Sequence, residues 1–190
     1  MGVRAPQLTL EALVRERLER DEDAGTAALI ERLRVARDRG YLTAGELVRI
    51  CRWKSPRATA LVRSNSARRV RRATETAFRS MDERVRFEAL VSLRGVSAPS
   101  ASAVLTLLDP ERYGVIDIRV WQLLHATGSV TGNARGAGFT FDQWLQFLRA
   151  VRDLAVTLEL PARAVERILF AIHRDHQIGT LYRASPGPRS

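Results

Sequence analysis

The chain has 190 residues, 45% of them hydrophobic, and its 31 basic side chains against 21 acidic ones give a net charge of +10. The length suits one sizeable domain, and the charge favours a polyanionic partner through phosphate neutralisation and counterion release. A single cysteine, Cys51, excludes an internal disulfide and a four-cysteine iron–sulfur cluster, and no apolar run approaches the roughly 18 residues of a membrane-spanning helix.

Taken in chain order, the residues predict helices almost throughout. Met1–Pro6 carries no secretory-type apolar stretch, so a cytoplasmic location is expected. Leu10, Leu13, Val14 and Leu18 recur at amphipathic spacing. A helix over about 26–39 ends at Gly40, a C-cap residue. Thr43 and Glu46 have capping-box spacing ahead of Leu47, Ile50 and Cys51. A short helix starts at Pro56, and Ser64-Asn65-Ser66 breaks the chain before a helix over about 67–79. Ser80 and Glu83 repeat the capping-box spacing, opening a helix with Val85, Ala89, Leu90 and Leu93 inward.

A second hairpin helix follows, burying Ala101, Val104, Leu105 and Leu108 and stopping at Asp109-Pro110. Gly114-Val115-Ile116 is extended and leads to Asp117, an N-cap for a helix carrying Val120, Leu123 and Leu124. Residues 128–139, with four glycines, form the longest loop. Thr140 and Gln143 cap an apolar helix containing Phe141, Trp144, Leu145, Leu148, Val151 and Ala155. Pro161 opens the last helix, with Val165, Ile168, Leu169 and Ile172 on one face. The expected fold is all-α, about ten helices in two lobes forming one domain over 1–184, with a disordered Pro/Gly tail over 185–190.

Residues 93–117 are the most informative. A helix (the hairpin spans 84–108) ends in a tight turn at Gly95-Val96-Ser97, a second helix follows, and Asp117 comes 22 residues after Gly95. Such a turn aims backbone N–H groups outward, where a phosphate oxygen can sit. The carboxylate follows at a fixed separation. A phosphate anchor with a placed acid suits chemistry on a nucleic-acid backbone or base.

Leu93-Arg94-Gly95-Val96-Ser97-Ala98-Pro99-Ser100-Ala101, followed by Val115-Ile116-Asp117, resembles the helix-hairpin-helix DNA glycosylase superfamily, endonuclease III and its relatives. That family reads Leu-x-Gly-Val-Gly-x-Lys-Thr-Ala and then Val-Asp at this separation. The resemblance covers about residues 84–124, a fifth of the chain. It implies base excision repair on duplex DNA by a nucleoid-associated monomer, with Asp117 as the catalytic carboxylate and Gly95, Val96 and Ser97 on a DNA phosphate. It also implies a monovalent cation at the turn; no other cofactor and no metal site is expected. Two departures stand out. Ser97 replaces the second glycine, and Pro99 replaces the lysine that serves as nucleophile in bifunctional members, so a monofunctional, water-using enzyme is expected.

Other residues remain candidates with a bland alternative beside each. Asp117 could be an N-cap alone. Lys54, the one lysine among thirty arginines, lies in Trp53-Lys54-Ser55-Pro56 and is a candidate DNA contact or nucleophile, or else a salt-bridging lysine. Trp53 and Trp121 are candidate walls for an extruded base, or else core; Trp144 reads as core. Arg68, Arg69, Arg71 and Arg72 form a basic face for phosphates or a solvated surface. His173-Arg174-Asp175-His176 reads as a helix C-terminal cap. The alternatives to the monofunctional glycosylase are a non-catalytic hairpin DNA-binding protein and a bifunctional glycosylase/lyase using Lys54.

Overall fold

The structure, a computed structural model, describes residues 10–18 and 21–176. Among these residues the chain forms ten α-helices and no strand: α1 (Leu10–Arg15), α2 (Ala24–Arg39), α3 (Ala44–Lys54), α4 (Thr59–Arg63), α5 (Ala67–Arg79), α6 (Glu83–Val91), α7 (Ala98–Leu108), α8 (Ile118–Ala126), α9 (Phe141–Leu158) and α10 (Ala162–His176). A 3₁₀ turn, Pro56–Ala58, joins α3 to α4. No described helix is long and apolar enough to cross a membrane. The segment read as a disordered tail lies outside the described residues.

Helix ends follow their cap chemistry. Asp23 accepts from the Thr26 N–H to start α2, and Gly40 (φ 80°) closes it in the left-handed region. The boxes at Thr43/Glu46 and Thr140/Gln143 both form, each with its reciprocal side-chain bond. The box expected at Ser80 and Glu83 does not. Asp82 caps α6 instead, accepting from the Arg84 and Val85 N–H groups. Glu83 is drawn away to accept from the Tyr113 hydroxyl at 2.9 Å and from Arg152 at 2.8 Å. A pair of long-range partners outcompetes a local bond.

α7 is the central helix. Ala98 and all of Ser100–Leu108 are buried, not only the predicted stripe, which fits a helix enclosed on all sides. Two of its hydroxyls are satisfied internally: Thr106 Oγ1 donates to the Ser102 carbonyl and Ser102 Oγ to the Pro99 carbonyl. On α6, Val85 is 40% exposed rather than inward, and Arg86 and Phe87 take the buried positions. Phe87 stacks on Phe141 and Trp144, joining α6 to α9.

The helices pack mainly as two groups. One gathers α2, α3 and α6 on α7, with α5 against α6 and α4 against α3; the other sets α8 and α9 on α10, with α1 beside them. A cleft opens where the groups meet.

Candidate functional site

Asp117 begins α8 as its N-cap, and Oδ1 accepts from the Arg119 N–H at 3.0 Å. The extended strand of chain before it is held from both sides. Ile116 N–H donates to Ser102 Oγ at 3.1 Å and Val115 N–H to Glu166 Oε2 at 3.3 Å. Gly114 permits the close approach, since a Cβ there would lie 2.8 Å from Glu166 Cβ. These contacts aim the carboxylate outward, and its other oxygen, Oδ2, accepts from Lys54 Nζ at 2.6 Å.

Lys54 is the last residue of α3. Its side chain is 18% exposed and that of Asp117 20%, so the pair is sheltered but open to the cleft. The cleft has a volume of about 980 Å³, and Trp53, Lys54, Asp117, Arg163, Glu166 and Phe170 are among its lining residues. Trp53 is half-buried, its indole N–H donating to Thr26 Oγ1 at 3.0 Å and its ring lying 5.4 Å from the Arg163 guanidinium. Arg163 in turn pairs with Glu22 at 2.7 Å and with Glu166. Burial pushes the Glu166 carboxyl above its ordinary value, against the pull of Arg163 and Lys54.

Sequence reasoning missed Thr26, Arg163 and Glu166. For Glu166 a signal existed. It falls on the buried stripe of α10 with Ala162, Val165 and Leu169, and an acid at a core position asks for a reason. His173 continues that stripe; its Nε2 lies 3.1 Å from Gln122 Oε1, so it packs against α8 instead of capping α10.

Of the two readings of Trp121, base-pocket wall or core, the structure has the core. Trp121 is fully buried, its indole N–H donates to the Asn133 carbonyl at 2.9 Å, and its ring packs on Phe139. The α8 turn that separates it from Asp117 carries the ring past the cleft wall into the interior, so Trp121 is core. Trp144 is also fully buried, as expected.

The turn between α6 and α7 has Gly95 at φ 78°, and a Cβ there would meet Leu61 Cβ at 2.8 Å and Val62 N at 2.9 Å. The turn is clamped by Asn65, whose side chain donates to the Arg94 carbonyl and accepts from the Arg94 N–H, both at 2.9 Å. Val96 departs from its expected role: it is buried and its N–H bonds the Leu93 carbonyl. Gly95 and Ser97, with Ala98, keep N–H groups that have no partner among the described residues. The Ser92 carbonyl already accepts from the Arg69 guanidinium, a fixed positive charge, and the Arg94 carbonyl from Asn65. The turn does not line the cleft; Ser97, Ala98 and Pro99 border a shallower groove with Phe87 and Phe139.

Arg68, Arg69, Arg71 and Arg72 are all exposed on α5. Arg68, Arg69 and Arg72 border a groove with Ala89 and Ser92, next to the hairpin turn. Arg71 lies over the Tyr41 ring at 4.5 Å. The basic character is wider than this cluster. Residues 47–81 hold ten basic side chains and one acid, Glu75, whereas the other 155 residues hold 21 basic and 20 acidic. One segment, running from α3 through α5, therefore carries +9 of the +10.

Compared with models of known families, with characterised proteins and with solved structures, the chain matches none.

Proposed function

We propose that this protein is a DNA glycosylase, cleaving the bond between a damaged or modified base and its deoxyribose in duplex DNA. The observation that carries this reading is the contact between Lys54 and Asp117, an amine and a carboxylate 2.6 Å apart on the wall of an open cleft. Breaking an N-glycosidic bond builds positive charge at C1′, and a fixed carboxylate stabilises it. Asp117 is held by the Arg119 N–H at the start of α8. Trp53 offers a ring on which an everted base stacks. The 47–81 surface and the Gly95 and Ser97 N–H groups suit phosphates.

The contact favours the amine route. Lys54 gives a proton to the departing base as its Nζ lone pair bonds C1′ and the C1′–N bond breaks with its electrons going to the base, the Asp117 carboxylate remaining beside C1′. The C1′–O4′ bond then breaks, O4′ taking a second proton from Nζ, which leaves an iminium joining Nζ and C1′. Pro99, where the family's hairpin lysine would be, favours a second route in which Asp117 orients a water and an abasic site is left.

Duplexes bearing oxidised, alkylated and deaminated bases, incubated with the protein and then treated with alkali, test the shared claim. The expected result is strand breakage at one lesion class, lost by about 100-fold or more in Asp117→Asn while duplex affinity is kept. Base release by that variant at the wild-type rate would overturn the reading, as would no release by the wild type across the panel.

A further inference from the structure

The arginines of α5 are not alike. The helix carries five of them and one acid, Glu75, which pairs with Arg71 at 4.0 Å and Arg79 at 2.7 Å, four residues to either side. Arg69 is engaged as well, donating to the Ser92 carbonyl at 2.5 Å and so tying α5 to the end of α6. Arg68 and Arg72 are left without a hydrogen-bond or ion-pair partner among the described residues. They stand four residues apart on one stripe, with Thr76 next along it. All three line a groove of about 430 Å³ between α5 and α6, and no acidic residue lines it. Ser66 and Ser92 add hydroxyls there, and the apolar lining is Ala73 and Ala89 alone. The groove shares no lining residue with the cleft. It reaches Ser92, the C-cap of α6 that leads into the hairpin turn.

We propose that the α5–α6 groove is a backbone track for lesion-free duplex DNA, in which Arg68 and Arg72 each neutralise one phosphate. Two uncompensated cations side by side repel each other, and a polyanion laid between the helices removes that repulsion while shedding its own counterions. About 6 Å of helix separates the two arginines, close to the step between neighbouring phosphates of one strand. The lining says which polyanion fits. A protein partner binds through aromatic or other bulky anchors, and this groove offers only two alanine methyls. Guanidiniums with serine and threonine hydroxyls are the groups that contact phosphates and carry no sequence information. The groove therefore holds the protein to any sequence, damaged or not, while the cleft selects the nucleotide. This division of labour deepens the base-excision reading and rests on it for the duplex as partner.

Fluorescence anisotropy of a labelled lesion-free duplex with the full chain, read at several salt concentrations, tests the track. Each lost phosphate contact flattens the plot of log affinity against log salt by about 0.9. Arg68→Gln/Arg72→Gln is expected to lower the slope by about 1.8, so that wild type loses about 12-fold more affinity than this variant between about 50 and 200 mM salt. Arg32→Gln/Arg149→Gln removes the same charge from exposed positions on α2 and α9 and should leave the slope within about 0.5 of wild type. Thermal melts check that both variants fold. An unchanged slope in Arg68→Gln/Arg72→Gln overturns the proposal, as does an equal fall in Arg32→Gln/Arg149→Gln or no duplex binding by wild type. Base release from lesion-bearing duplexes is scored separately at saturating protein. The expected slope change without release by wild type upholds the track and removes the excision reading; release with an unchanged slope does the reverse.

Discussion

At the residue scale, Asp117 divides its two oxygens between two tasks. Oδ1 caps α8 and Oδ2 faces Lys54. The capping role was legible in the sequence because an acid stands at a helix start after an extended tripeptide. Its partner was not, since 63 residues separate the two and no local rule connects them. His173 shows the same blindness to long-range neighbours. Burial, and then the nearby Arg119, hold its imidazole below the ordinary 6.5, with Asp117 opposing. Its Nδ1 is buried without a partner. As pH falls below about 6.5 the unfolded chain takes up this proton first. The associated stability is therefore full above that value and is lost as pH drops through the folded pKa. Melting temperatures read from about pH 7.5 down to about pH 5 should fall less steeply in His173→Gln than in the wild type. Parallel curves would assign the loss to other groups.

At the element scale, the caps and apolar periodicities located nearly every helix, and the exceptions are instructive. α7 reads as amphipathic because Ser100, Ser102 and Thr106 are polar, but each is buried. Small hydroxyl side chains that bond within their own helix leave it free to sit at the centre. Ser102 does more, since its Oγ also receives the buried Ile116 N–H one residue before Asp117. Ser102→Ala should leave that donor unpaired and lower stability in denaturant unfolding by about 1–3 kcal/mol. Unchanged stability would show that the bond does not hold the Gly114–Ile116 strand of chain. The failed box at Ser80/Glu83 teaches the converse. A correct local spacing yields when Tyr113 and Arg152 offer the same carboxylate better partners.

At the scale of the whole molecule, the net charge of +10 conceals its own distribution. Nearly all of it lies on the α3–α5 segment, which starts ahead of Lys54 in the cleft and wraps the hairpin turn at Gly95. The cleft itself was invisible in the sequence, because its walls come from residues 16–18 after α1, from α2 and α3, from the stretch that ends at Asp117, and from α10, parts brought together only by packing around α7 and α10. In the proposed function one pair, Lys54 and Asp117, links these two features. Lys54 is the sole lysine in the sequence, which makes its chemistry unusually easy to assign. Borohydride added during reaction with a lesion-bearing duplex, followed by mass spectrometry of the digested adduct, reads it directly. A covalent protein–DNA product joined at Lys54 and absent in Lys54→Ala is expected. Base release at an undiminished rate by Lys54→Ala, with no trapped product from the wild type, would contradict it.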